Sequence, residues 1–231
     1  MATSGTTTFN PDLSEIVEEA FERCGGELRT GYDLRTARRS MNLMFTDWAN
    51  RGINMWTMEQ GQQILTPGTA TYNLPADTVD LLDHVIRTGA GSSSTQADLT
   101  ITRISEPTYS SIPNKLQQAR PIQVWIERLN TPRFTVWPVP DNSQTYTFVY
   151  WRLRRIQDAG DGVNTMDMPF RFYNAMVSGL AYYLALKVPG AMDRLVILKA
   201  QYEEAWQLAA DEDREKAAIR FVPRQQYIGG R

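Results

Sequence analysis

His84 and Cys24 are the only histidine and the only cysteine in the chain, so a Cys-His nucleophilic pair would require these two to meet. His84 sits in LLDHVIRTG among alternating apolar residues, and Cys24 falls on the apolar side of a helical repeat. Both settings read as structural. No Gly-x-Ser-x-Gly elbow occurs to present a serine. GAGSSS begins like a phosphate loop but lacks the third glycine and the Lys-Ser/Thr, and no helical pattern follows it. Carboxylates cluster at Glu203-Glu204 and Asp211-Glu212-Asp213, the residue types of a glycosidase dyad. Neighbours on a helix diverge, however, and a charge run on a helix reads as a solvated face. One histidine and one cysteine cannot supply the usual nitrogen and sulfur ligands of a metal site, and the sequence calls for no cofactor.

Basic clusters complete the inventory. RTARRS places Arg38 and Arg39 on the polar side of a helix, and YWRLRRI places Arg152 and Arg154 on one face of a strand, with Arg155 beyond it. Arginines beside Tyr150 and Trp151 could hold single-stranded nucleic acid, although the aromatics serve equally as sheet packing. A formal net charge of -2 predicts no general attraction to nucleic acid or anionic lipid. The lone cysteine excludes an internal disulfide and fits a reducing compartment. MATSGTTTF has no charged or apolar leader character, and the later apolar runs are interrupted, so neither export nor membrane insertion is expected.

The elements that would position these groups are legible from period and punctuation. NPDLSEIVEEAFERCGG predicts a helix with Asn10 as cap, Pro11 at its first position and Gly25-Gly26 as its stop. A second helix starts near Asp33 and carries Leu34, Ala37, Met41, Phe45 and Trp48 on one stripe. From Thr57, β-branched and aromatic residues predict strands at about 60–66, 70–74, 79–88, 97–105, 121–128, 133–137 and 145–154. LNTPRF reads as a hairpin, WPVPDNSQT as a turn, and EPTYSSIPNK as one short helical turn. Helical period returns in MPFRFYNAMVSGLAYYLALKVPG and in AMDRLVILKAQYEEAWQLAADEDREKAA. The last helix is expected to bury Leu195, Leu198, Tyr202, Ala205 and Leu208 or Ala209, and to turn Glu203, Glu204, Asp211, Glu212 and Asp213 outward.

With 231 residues, 42% hydrophobic, the chain can bury a sizeable core. The expected fold class is α+β: helices from both ends form an antiparallel bundle over 10–56 and 166–218, an antiparallel β-domain is inserted at 57–165, and 1–9 and 219–231 flank them. RFVPRQQYIGGR, at the end of the sequence, has apolar anchors without a core of its own. Ordering a residue costs about 1–2 kcal/mol, so the segment is expected to order where a partner surface buries Phe221, Val222, Tyr227 and Ile228, the alternatives being that it folds back onto its own helices or stays disordered.

Four stretches, EEAFERCGGELRTGYDLRTARRSMNLMFTDWANRGINMWTMEQ, TATYNLPADTVDLLDHVIRTG, RFTVWPVPDNSQTYTFVYWRLRRIQDAG and MDMPFRFYNAMVSGLAYYLALK, resemble the head-to-tail adaptors of tailed bacteriophages. The likeness is to the tail tubular protein A type of short-tailed phages and runs from about Phe9 to Pro223. It implies a structural virion protein without enzymatic activity, assembled in the host cytoplasm as a dodecameric ring. That ring would join the portal protein to the tail nozzle, with double-stranded DNA passing through its lumen. It also implies that Arg220, Phe221, Val222, Pro223, Arg224, Tyr227 and Ile228 dock on the portal. A closed ring needs two different complementary faces, and Arg35, Arg38 and Arg39 against Glu203, Glu204 and Asp211 are the expected pair; the acidic face from Glu203 onward could equally line the channel. Loops 89–97 and 138–144 are the expected nozzle contacts. The alternative readings are a peptidoglycan-degrading virion hydrolase using an acid pair in the β-domain, and a DNA-binding module built on Arg152 to Arg155.

Overall fold

A capping box opens the first helix, α1 (Leu13–Cys24): the Asp12 carboxylate accepts from the Glu15 amide at 2.9 Å, and the Glu15 carboxylate accepts from the Asp12 amide at 3.1 Å. The cap is therefore Asp12 and not the expected Asn10. The Asn10 side chain instead accepts from the Tyr173 hydroxyl at 2.6 Å. Gly25 ends the helix at φ 83°, where its amide reaches back to the last turn. These coordinates come from a computed structural model that describes residues 3–27, 31–52 and 55–214. Helix α2 (Gly31–Asn50) buries Ala37, Met41, Met44, Phe45 and Trp48 as its period requires.

Eight strands follow: β1 (Met58–Leu65), β2 (Thr71–Asn73), β3 (Thr78–Thr88), β4 (Ala97–Thr100), β5 (Thr102–Ile104), β6 (Gln123–Glu127), β7 (Arg133–Trp137) and β8 (Tyr146–Arg154). The short helix α3 (Glu106–Ser110) lies between β5 and β6. One sheet has the order β1-β8-β3-β4 and is antiparallel throughout; the other is β2-β7-β6-β5, with β5 parallel to β6. The single strand expected at 97–105 is thus two. Its halves pair in different sheets, β4 with β3 and β5 with β6, and the chain crosses between them at Ile101. Leu81, Ile86 and Phe148 of the first sheet share one apolar cluster with Val124, Phe134 and Val136 of the second. Across it, Phe134 stacks on Phe148 with centroids 4.3 Å apart.

After a 3-10 turn at Phe170–Phe172 come α4 (Tyr173–Ala185) and α5 (Leu195–Glu212). Helices from both sides of the strand block contribute to a second apolar cluster, which holds Leu13, Trp48, Phe172, Leu180 and Tyr202. Helix α4 packs against α1, α2 and α5. Gly179 permits this, because a Cβ there would lie 2.5 Å from Met44 Sδ and 2.7 Å from the Tyr202 ring. In α5 one of two expected alternatives is realised and one expected outward residue turns in. Ala209 is buried while Leu208 is exposed, because the buried stripe Leu198, Tyr202, Ala205, Ala209 leaves Leu208 on the other side. Asp213 turns inward, where it accepts from Arg171 and from the Met55 amide.

Candidate functional site

The arginines of α2 open onto a groove of about 490 Å³ lined by Arg35, Arg38, Arg39, Leu43, Arg155 and Asp158, among others. Arg38 donates to Asp161 at 2.9 Å, whereas Arg35, Arg39 and Arg155 have no ion-pair partner among the described residues. The positive field extends to Lys187, whose ammonium donates to Ser40 Oγ at 2.6 Å. Burial, and then the charge of Arg39, push the Lys187 pKa below its ordinary value. Such a surface suits an acidic partner. Arg155 and Leu43 were not foreseen as its members, since nothing local in the sequence brings the end of β8 beside α2.

The three acidic residues expected to oppose these arginines have different settings. Glu203 is held within the chain by Arg51 in a two-point pair, at 2.8 and 3.0 Å. The same guanidinium lies 4.9 Å from the Tyr202 ring centroid and 5.4 Å from that of Trp206. Asp211 accepts from Gln207 and Arg214 on its own helix and the turn after it. Glu204 stands on the wall of a different groove, beside Arg23, Asn174, Ser178, Gln201 and Leu208. Residues Arg220, Phe221, Val222, Pro223, Arg224, Tyr227 and Ile228 lie outside the described residues.

At the end of β8, Arg152 and Arg154 share one face as alternation requires, and acids surround them. Arg152 donates to Asp77 at 2.5 Å and to Glu59 at 2.8 Å; Arg154 donates to Glu59 at 2.6 Å and to Asp167 at 2.5 and 3.0 Å. Both guanidinium side chains are mostly buried, so they tie β1, β8 and the approach to α4 together and offer little surface to a phosphate backbone. Five carboxylates of the strand block are likewise engaged: Glu59, Asp77, Asp80, Asp98 and Glu127 each pair with an arginine. A glycosidase general acid needs a raised pKa. Asp77 and Asp98 are instead held below the ordinary carboxylate range by Arg152 and Arg87, and Asp141 by Ser143.

Cys24 and His84 do not meet. Cys24 is buried in the helical cluster, its thiol donating to the Phe21 carbonyl at 3.2 Å, and burial raises its pKa. His84 is buried on β3 with its ring 6.0 Å from Phe148, and neither ring nitrogen has a hydrogen-bond partner. Burial pushes its pKa down, a trend reinforced by Arg103 and opposed by Asp83. The folded chain therefore favours neutral imidazole, while the unfolded chain takes up a proton near pH 6.5. Stability is complete above that pH and falls as pH drops from about 6.5 toward the lower folded value. Because His84 is the only histidine, His84→Leu should flatten the melting temperature between about pH 6.5 and 5. An unchanged slope in thermal scans of the variant would refute that account.

Among the described residues, no group of three or more His, Cys, Asp or Glu could hold a metal ion, and no helix is long and apolar enough to cross a membrane. No curated protein matches the chain. The model of the SU10 adaptor protein family matches residues 11–224, a span that takes in both apolar clusters, the α2 groove and the arginine network of β8. This match makes the chain a structural adaptor of a bacteriophage virion, one that interacts with other head and tail components. The chain belongs to the SU10 adaptor protein family.

Proposed function

We propose that the chain is a head-to-tail connector of the tail tubular protein A type, with copies closing into a dodecameric ring beneath the portal and above the tail nozzle. Double-stranded DNA passes through the lumen without sequence-specific contact. The family match over residues 11–224 carries this reading. It is supported by a surface that offers recognition more readily than chemistry: an arginine groove on α2, five strand-block carboxylates engaged by arginines, and a buried cysteine and a buried histidine in different parts of the fold. In this reading the strand block is an insertion into the helical part, and its loops face the nozzle.

The segment Arg220 to Arg231 docks on the portal through Phe221, Val222, Tyr227 and Ile228. An anchor of this size contributes about 1.5–3 kcal/mol when buried, which is roughly a ten- to hundredfold change in affinity. Multiple copies add avidity. Full-length chain carrying Phe221→Asp and Ile228→Asp should lose co-sedimentation with portal particles by at least about a hundredfold in half-saturating concentration. Portal attachment unchanged by the pair would refute the docking role.

A further inference from the structure

Helix α4 is flanked by α1 on one side and α5 on the other, and between them its own surface is left open. Asn174 and Ser178, four residues apart on one stripe, form the floor of a trench of about 460 Å³, with Arg23 on the α1 wall and Gln201, Glu204 and Leu208 on the α5 wall. Arg23 donates to Ser178 at 2.9 Å and to Asn174 at 3.3 Å. Toward the start of α4 the trench continues, across Arg23 and Asn174, into a more apolar groove of about 690 Å³ where Phe9 and Phe170 are exposed. Gly179, about 100° further round α4 than Ser178, receives Met44 of α2. Helix α2 thus packs on a side of α4 turned away from the trench.

The outward stripe of α2 is Tyr32, Arg35, Arg39, Leu43 and Thr46, all exposed and spaced by three or four residues. The exposed α5 stripe that carries the wall is Ile197, Gln201, Glu204, Leu208 and Asp211, spaced in the same way. Each stripe carries two exposed apolar residues, Tyr32 (68%) and Leu43 (57%) on α2, Ile197 (60%) and Leu208 (65%) on α5. Both pairs are eleven residues apart in the chain, about 16 Å along a helix. Between the apolar residues lie two arginines on α2, and Gln201 and Glu204 on α5. On the opposite wall α1 places Arg23 at the trench and Glu15 and Glu19 further along, in the adjoining groove, where Glu19 pairs with Arg23 at 2.8 Å. Ridge and trench match in apolar spacing, Glu204 offers the arginines an acid on the α5 wall, and the two faces lie on different sides of one subunit, as a head-to-tail contact requires.

We propose that the α2 ridge of one copy lies in the α1–α5 trench of the next, over Asn174 and Ser178. The proposal rests on the ring reading above and shifts the acidic partner of the arginines: Glu204 faces them, while Glu203 stays with Arg51. The apolar residues at the two ends of the ridge set the register, and Arg35 and Arg39 select the acid on the α5 wall.

The test uses full-length chain carrying Leu43→Cys and Leu208→Cys, since Cys24 is buried and out of reach. Mild oxidation should yield a ladder of cross-linked copies on a non-reducing gel, at least about tenfold above either single variant. Arg35→Glu with Arg39→Glu should weaken self-association at least about tenfold, and adding Glu204→Arg should recover part of it. If copies associate by native mass spectrometry but the double-cysteine chain gives no ladder, this pairing of faces is wrong and the ring reading stands. Cross-linking within single chains, or capture of Leu208→Cys by Phe221→Cys in the same chain, would also overturn it. A chain that stays single at every concentration, with or without portal protein, would overturn both.

Discussion

Trp48→Ala should lower stability by about 3–5 kcal/mol, the largest effect of any single truncation in the helical part. Trp48 is fully buried and contacts Phe45, Phe172 and Trp206, with centroids 5.8, 5.9 and 4.7 Å away. Its indole N–H donates to the Tyr202 hydroxyl at 2.8 Å. Alanine removes both the ring volume and the donor, and the surrounding aromatics come from three separate chain segments that cannot all collapse into the space. Tyr202→Phe isolates the hydrogen-bond part and should cost about 1–3 kcal/mol, because a buried indole donor is left without a partner. Urea midpoints of the two variants, read at constant m, check both values. Equal losses would mean that packing contributes nothing beyond the hydrogen bond.

Arg154→Met should cost about 2–4 kcal/mol, somewhat below the figure for a fully buried pair because Glu59 retains contact with water. Arg154 is the common partner of Glu59 and Asp167. Asp167 in turn accepts from the Gln157 amide at 3.1 Å, and its backbone carbonyl accepts from the Trp56 indole at 3.0 Å. Methionine keeps the stem but leaves Asp167 without its cation, while Glu59 keeps only Arg152. Arg154→Lys should recover only part of the loss, since a single ammonium cannot make the two-point contact. Hydrogen exchange should show the damage first in residues 155–168, which the pair ties to β8. A loss under about 0.5 kcal/mol would place the network with solvent-screened surface pairs.

Much of this architecture is readable locally. Gly25 at φ 83° stops α1 where the glycine pair was expected to, and β7 and β8 fall where aromatic alternation and the turn after Trp137 place them. The poverty of chemistry is likewise a matter of composition, because one histidine and one cysteine leave few constellations to consider. The resemblance to phage adaptors rested on the order of segments and agrees with the family that residues 11–224 match.

What the sequence could not supply is which partner each group meets when the partner is distant in the chain. Arg51 and Glu203 are separated by 152 positions, and Arg171 and Asp213 by 42. Local propensity carries no information about such pairs, so of the outward-reading acids Glu203 is bound by Arg51 just past α2, Asp213 turns inward and Glu204 stands over a trench. The same limit explains why the strand at 97–105 breaks at Ile101: alternation specifies an extended chain but not which sheet each half joins. Period and punctuation in the sequence determined the elements, because both act between neighbours within a few residues. The packing of α1, α2 and α5 around α4 alone decided which charges remain available and where the open trench lies, since exposure depends on what covers a residue.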